Sequence, residues 1–304
     1  MKIGFVSAIL DGWDFQQTIS IASRIGYQCV EVACWPHGEG ERRYAGVSHI
    51  DVTNLSDSKI SEIKSILLKE NVEISSLAFY PNPLDSDPHK RQANINHLLK
   101  VIDASAALGV NMVTTFIGRD QKLTVEENLK QYSQVWPFII QHAEDKKVKI
   151  AIENCPMLFS ADQWPGGQNL ATNPKIWREM FKIIPSNYFG LNYDPSHMVW
   201  QMMDYLAPIY EFKDKLFHIH FKDIKLYKEK LDQVGIMAYP LDFMAPKLPG
   251  LGDVDWGRFV SALGDIGYDG FACVEVEDRF FEGTQDKIIK SLELSYTYLK
   301  QFVI

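Results

Sequence analysis

The stretch 148-VKIAIE-153 decides the fold together with its counterparts 188-YFGLNYD-194, 215-KLFHIH-220 and 271-FACVE-275. Each is a short, near-continuous apolar run, the pattern of a strand covered on both faces. Each also ends on a group able to bind a cation: Glu153, Asp194, His220 and Glu275. A parallel barrel carries the C-terminal ends of its strands to one face, so these four residues would converge on one small volume.

Working outward, four runs of the same kind precede them: 2-KIGFVSAI-9, 28-QCVEVACW-35, 73-EISSLAFY-80 and 111-NMVTTFI-117. Helical periodicity fills the gaps. In 57-DSKISEIKSILLKEN-71, Ile60, Ile63, Ile66 and Leu67 form one stripe, with Ser56 or Asp57 as N-cap. Gly26 and Gly109 follow helical segments where a C-terminal glycine is expected, Thr124 opens T-x-E-E, and Pro174 starts another helix. Eight strands alternating with helices predict a single (β/α)8 TIM barrel over residues 1–304, an α/β fold with long loops after strands 2, 5 and 7. An open doubly wound sheet would want a glycine-rich turn after the first strand, and 8-AILDGWD-14 has one glycine.

The chain has 304 residues and 46% hydrophobic content, ample for a barrel of the usual size of about 250 residues. Its net charge of −8 argues against a partner that is nucleic acid. The four cysteines form no C-x-x-C pair, and Cys29 and Cys273 sit in apolar runs as small core hydrophobes. The apolar N-terminal run is short and closes at Asp11, and nothing approaches the roughly 18 apolar residues of a membrane span, so a cytoplasmic protein without a membrane partner is expected.

Taken singly, each strand-end residue has a bland explanation. Glu153 suits a salt bridge, Asp194-Pro195 opens a turn, and a lone histidine on an apolar strand is commonly structural. Together they are costly to bury unless they share a partner. Three carboxylates and one imidazole suit one divalent metal ion: Mn²⁺, Mg²⁺ or Co²⁺ by ligand type, with Zn²⁺ or Fe²⁺ compatible. His218 shares a face with His220, and His197 lies three residues past Asp194. Lys222 and Glu31 stand at strand ends, where charge balance, a structural role and substrate binding are all open. Trp13, Trp35, Trp164 and Trp200 lie in strand-end loops, where an indole can pack against a sugar face or simply close a loop; Trp13 and Trp164 are the expected substrate contacts.

The motifs 152-IENC-155, 194-DPSH-197, 218-HIHFKD-223, 249-PGLGDVDW-256 and 268-YDGFACVEVED-278 give the chain a resemblance to the xylose isomerase-like TIM-barrel superfamily, in its sugar phosphate isomerase/epimerase branch. The resemblance implies one metal ion held by Glu153, Asp194, His220 and Glu275. It also implies Glu153 and Glu275 as the pair that removes and returns a proton next to a substrate carbonyl, and His197 as a substrate-binding histidine. The implied activity is an isomerase or epimerase of a monosaccharide or sugar derivative working through an enediolate. Phe159 and Leu226 stand where the ketose 3-epimerases carry a substrate-binding glutamate and arginine. A lyase or dehydratase acting on a keto-sugar or keto-inositol, like inosose dehydratase, is therefore the second expectation. An endonuclease IV-like DNA repair enzyme ranks low, because the D-x-H after the seventh strand is missing from 221–256. The implied partner is a sugar, and a homo-oligomer is compatible.

Overall fold

The protein is described by a computed structural model covering residues 1–36, 38, 44–158 and 167–303. The chain runs β1 (Lys2–Val6), α1 (Phe15–Ile25), β2 (Cys29–Ala33), α2 (Asp57–Glu70), β3 (Glu73–Ala78), α3 (Pro88–Leu108), β4 (Met112–Thr115) and α4 (Val125–Asp145). It continues through β5 (Lys149–Glu153), α5 (Pro174–Ile183), β6 (Phe189–Tyr193), α6 (Ser196–Val199), α7 (Ala207–Glu211), β7 (Leu216–Phe221), β8 (Asp223–Leu226) and α8 (Lys228–Val234). The last elements are β9 (Met244–Lys247), α9 (Trp256–Asp265), β10 (Phe271–Val274) and α10 (Gln285–Leu299).

Eight parallel strands close in the order β1-β10-β7-β6-β5-β4-β3-β2, so the eight apolar runs form the expected (β/α)8 barrel. The local signals act as their chemistry requires. Ser56 caps α2, Thr124 and Glu127 make a reciprocal capping box on α4, and Asn173 caps α5 ahead of Pro174. Gly26 and Gly109 end α1 and α3 at φ 109° and 77°, a left-handed conformation that costs glycine nothing. The α4 face seats Tyr132, Trp136, Ile139 and Ile140 on the barrel, and each large buried side chain is worth roughly 1.5–3 kcal/mol.

The strands are shorter than their apolar runs at the C-terminal end: β1 stops at Val6 and β10 at Val274. Beyond Val6 the run continues as a 3-10 turn over Ser7–Ile9. The long segment after β7 folds as an unforeseen antiparallel ribbon, with Asp223 opposite Lys247 and Leu226 opposite Met244, and α8 between its strands. No helix among the described residues is long and apolar enough to cross a membrane.

Register stacks the functional side chains. Glu153 pairs with Asn192, and Asn192 pairs with His218 after a one-residue bulge at Leu191/Asn192. His220 pairs with Cys273. Side chains two residues apart share a strand face, so Asp194, His220 and Glu275 stand one layer above Asn192, His218 and Cys273.

Candidate metal centre

Glu153, Asp194, His220 and Glu275 come together at the mouth, each offering one ligand atom, all within 4.8 Å of one another. The Nδ1 atom of His220 is 3.6 Å from Glu153 Oε1 and 3.6 Å from Glu275 Oε2. These spacings exceed hydrogen bonds and lie slightly above the about 3.0–3.4 Å between donors placed about 2.1 Å from one centre in octahedral or tetrahedral geometry, so a small inward shift would close them on an ion. Glu153 Oε1, Asp194 Oδ2 and His220 Nδ1 are all buried and make no hydrogen bond. Asp194 Oδ2 has the Lys222 ammonium at 3.3 Å, but buried polar atoms short of hydrogen bonds are costly, and a shared cation would satisfy all three at once.

The ring of His220 is fixed from behind. Its Nε2 lies 2.9 Å from Glu31 Oε2, and the Tyr80 hydroxyl donates to the other Glu31 oxygen. With Nε2 held by a carboxylate, Nδ1 is the ring nitrogen that faces the cluster, the carboxylate–histidine arrangement common behind metal ligands. Burial works against a charge on Glu31, but the field and hydrogen bond of His220, with His218 and Tyr80, hold its carboxyl below the usual range. Asn192 ties this layer together: its Oδ1 is 2.9 Å from His218 Nδ1 and its amide donates to Tyr80. His218 Nε2 in turn meets Ser75 Oγ at 3.1 Å. His218 therefore supports the layer below, while His220 reaches the cluster.

Electrostatics favour a cation. Burial, reinforced by Glu275 and Glu153, pushes the Asp194 carboxyl up despite Lys222 and His197. Burial and Glu275 also oppose ionisation of Glu153, yet His220 and the nearby His197 ring, 3.7 Å away, bring it down to about 2. Lys222 is almost wholly buried, with Nζ 2.7 Å from Glu275 Oε2, 3.2 Å from Glu277 Oε2 and 3.3 Å from Asp194 Oδ2. Burial alone would discharge it, but those carboxylates keep the ammonium charged.

His197 enters from α6, directly after the Asp194-Pro195 turn. Trp200 Nε1–H donates to its Nδ1 at 3.3 Å. With Nδ1 accepting, the ring carries its proton on Nε2, which lies 3.3 Å from Asp194 Oδ2 and 3.7 Å from Glu153 Oε1. His197 is thus a hydrogen-bond donor into the site. The nearby group of Glu153, Cys155 and His197 also has ligand spacing, but this tautomer turns a proton, not a lone pair, toward it.

Above the cluster opens a cavity of about 440 Å³ whose walls include Glu153, His197, Lys222 and Glu275. Two of the residues expected to bind substrate lie elsewhere. Glu31 does not reach this cavity: it is 0% exposed and both oxygens are engaged, because β2 brings it beneath His220. Trp13 does not line the cavity either: the turn that bonds Trp13 N to Leu10 O, followed by the α1 capping box, lays its ring on the core. Trp35 and Trp200 take the lining positions instead. Trp164 and Phe159 lie outside the described residues. Tyr80, Asn192 and Cys155 were not foreseen. An asparagine inside the apolar run YFGLNYD was the available signal, since a buried amide must have partners.

A model of the xylose isomerase-like TIM barrel matches residues 19–298. An uncharacterised Bacillus subtilis protein, YfiH, is 25% identical over 91% of this chain and 93% of its own length. The inosose dehydratase of Lactiplantibacillus plantarum is 27% identical, over 45% of each chain, so that enzyme is matched over less than half its length. Among solved structures, a D-psicose 3-epimerase from Clostridium cellulolyticum H10 with D-tagatose superposes with TM-score 0.69 at 16% identity, over 100% and 99% of the two chains. The IolI protein with a bound zinc atom superposes with TM-score 0.73 at 18% identity, over 99% of each chain. At these identities the two structures show the fold alone.

Proposed function

Because the chain belongs to the xylose isomerase-like TIM-barrel family, we propose that Glu153, Asp194, His220 and Glu275 hold one divalent metal ion in an isomerase or epimerase of a monosaccharide or sugar derivative. The observation that carries this reading is the convergence of three buried ligand atoms that make no hydrogen bond, with Glu275, at the floor of a ligand-sized cavity. Three carboxylates and an imidazole form a hard donor set suited to Mn²⁺, Mg²⁺ or Co²⁺. When bound, such an ion polarises a substrate carbonyl and stabilises negative charge on its oxygen.

The side chains then divide the remaining work. Glu153 and Glu275 bracket the cluster, so one takes the proton from the carbon next to the carbonyl and the other returns it. Both are held ionised, Glu153 down to about 2 and Glu275 well below its ordinary value, where Lys222 and His220 outweigh burial. Either carboxylate acts on a C–H already acidified by the adjacent carbonyl. The Nε2–H of His197 donates to a substrate oxygen and fixes which carbon faces the base. Lys222 keeps Glu275 ionised and in place.

A second reading, elimination of water from a keto-sugar or keto-inositol, shares the proton abstraction. It is favoured by two buried N–H donors, His197 and Lys222, on the cavity wall, where a departing hydroxyl needs a proton. The name of the inosose dehydratases points the same way. The test is metal analysis paired with incubation in D2O with free ketoses, keto-sugars and keto-inositol, followed by NMR. Deuterium next to the carbonyl with an epimeric product supports the first reading, and an unsaturated product supports the second. No exchange with any of these by metal-loaded protein would defeat both.

A further inference from the structure

The cavity is two-faced. Its inner wall carries Glu153, His197, Lys222, Glu275 and Glu277, and one further charge, Arg279, lines it near Tyr239. The insertion between β7 and α9 supplies Ile224, Tyr239, Pro240, Leu241, Met244 and Pro246, among which the Tyr239 hydroxyl is the sole polar side-chain group. A free sugar presents hydroxyls in every direction, and burying a hydroxyl against such a wall without a partner costs free energy. The space is also generous. About 440 Å³ lies within the roughly 300–1,000 Å³ of sites that bury ligands of drug size, and a lone six-carbon ring leaves part of it empty. The same insertion leaves Leu241 41% exposed and Met237 76% exposed, so apolar surface continues from the wall out to the rim.

We infer that the substrate is a keto-sugar bearing an apolar or aromatic substituent, its ring held at the charged floor and its substituent against the insertion. This rests on the proposed proton abstraction and narrows its substrate class. The wall reads the substituent by area buried, so discrimination rises with its size. Burial of a phenyl group gives roughly tenfold to hundredfold in kcat/KM.

The experiment compares 3-keto-D-glucose with phenyl 3-keto-β-D-glucopyranoside on Mn²⁺-loaded protein in D2O. It follows loss of the proton signals next to the carbonyl, whether by exchange or by elimination. The expected result is a kcat/KM at least about tenfold higher for the phenyl glycoside. In the double variant Leu241→Gln, Met244→Gln that ratio should fall toward one. An equal or higher kcat/KM for the free sugar overturns the inference and leaves the functional reading standing. So would an apolar rim covered by a second copy, seen as a dimer by sedimentation together with no glycoside preference. Inertness toward both probes overturns the functional reading, and this inference with it. Should the double variant not fold, the wild-type ratio alone decides.

Discussion

Glu31→Gln separates a residue that binds substrate from one that positions a metal ligand. Glu31 is fully buried and its Oε2 lies 2.9 Å from His220 Nε2. Glutamine has the same shape: its amide oxygen can face His220 while its NH2 donates to the Tyr80 oxygen, so the fold should survive. What changes is charge. A hydrogen bond to a charged group is worth about 1.5–3 kcal/mol and a neutral one about 0.5–1.5 kcal/mol, a difference of about 1–1.5 kcal/mol or roughly tenfold in an equilibrium constant. The neutral amide also relaxes the preference for the tautomer with Nδ1 unprotonated, which extends the loss toward the 10–100-fold typical of groups behind a ligating histidine. The assay is competition for Mn²⁺ against a metallochromic indicator at fixed pH, with keto-sugar kinetics at saturating Mn²⁺. Metal affinity should fall about 10–100-fold with KM nearly unchanged. Mn²⁺ affinity within about twofold of wild type, together with a raised KM, would refute the reasoning and return Glu31 to substrate binding.

Other outcomes can be measured on the same protein. Glu153→Gln and Glu275→Gln should each abolish deuterium incorporation from D2O, and wild-type exchange in either would sink the two-carboxylate mechanism. Lys222→Met removes the cation from among Asp194, Glu275 and Glu277, so urea unfolding of the metal-free protein should show a loss of about 3 kcal/mol, with Mn²⁺ restoring part of it; unchanged stability would mean those carboxylates take up protons instead. A chelator should lower the melting temperature of metal-loaded protein, since a ligand at 100 times its Kd adds about 2.7 kcal/mol to the folded state; an unchanged melting temperature would count against a resident ion. Burial depresses the His49 imidazole despite its hydrogen bond to the Leu10 carbonyl, and Ser7 bonds the other ring nitrogen. Because the folded pKa lies below the unfolded value of about 6.5, the stability His49 contributes is complete above that pH and is lost as pH falls below it, so His49→Gln should reduce the stability difference between pH 7 and pH 5; an unchanged difference would show that His49 is not the sensor.

Fold and site were legible to different depths for one physical reason. Apolar periodicity reports burial, and the eight barrel strands are buried on both faces, so all eight stand out. The strand-end residues Glu153, Asp194, His220 and Glu275 were visible because a polar group closing an apolar run is a local anomaly. Glu31 interrupts β2 in the same way, but its neighbour His220 is 189 residues away, and only strand order tells whether such a carboxylate faces the cavity or the barrel floor. Tyr80 hid as an ordinary aromatic at a strand end. The β8–β9 ribbon hid because its segment mixes proline, methionine and charge with no period of two. Its pairing joins residues about 20 apart, Asp223 with Lys247 and Leu226 with Met244, which no local propensity marks.

The dipeptide Lys222-Asp223 joins the two halves of the argument. Consecutive residues of an extended chain point to opposite sides, so Lys222 turns in toward the carboxylates and Asp223 turns out into the insertion. There Asp223 accepts hydrogen bonds from Ile224 N, Gly250 N, Val254 N and the Trp256 indole, which pin both ends of the 223–256 segment to one carboxylate. The packing is tight enough that a Cβ on Gly252 would lie 2.2 Å from Asp223 Oδ1. Between those pinned ends the ribbon pairs Ile224 with Pro246 and Leu226 with Met244, so the apolar cavity wall hangs from the carboxylate that directly follows Lys222. Under the proposed function, a change within residues 224–250 acts first on that wall, and a change at Asp223 acts on Lys222 as well.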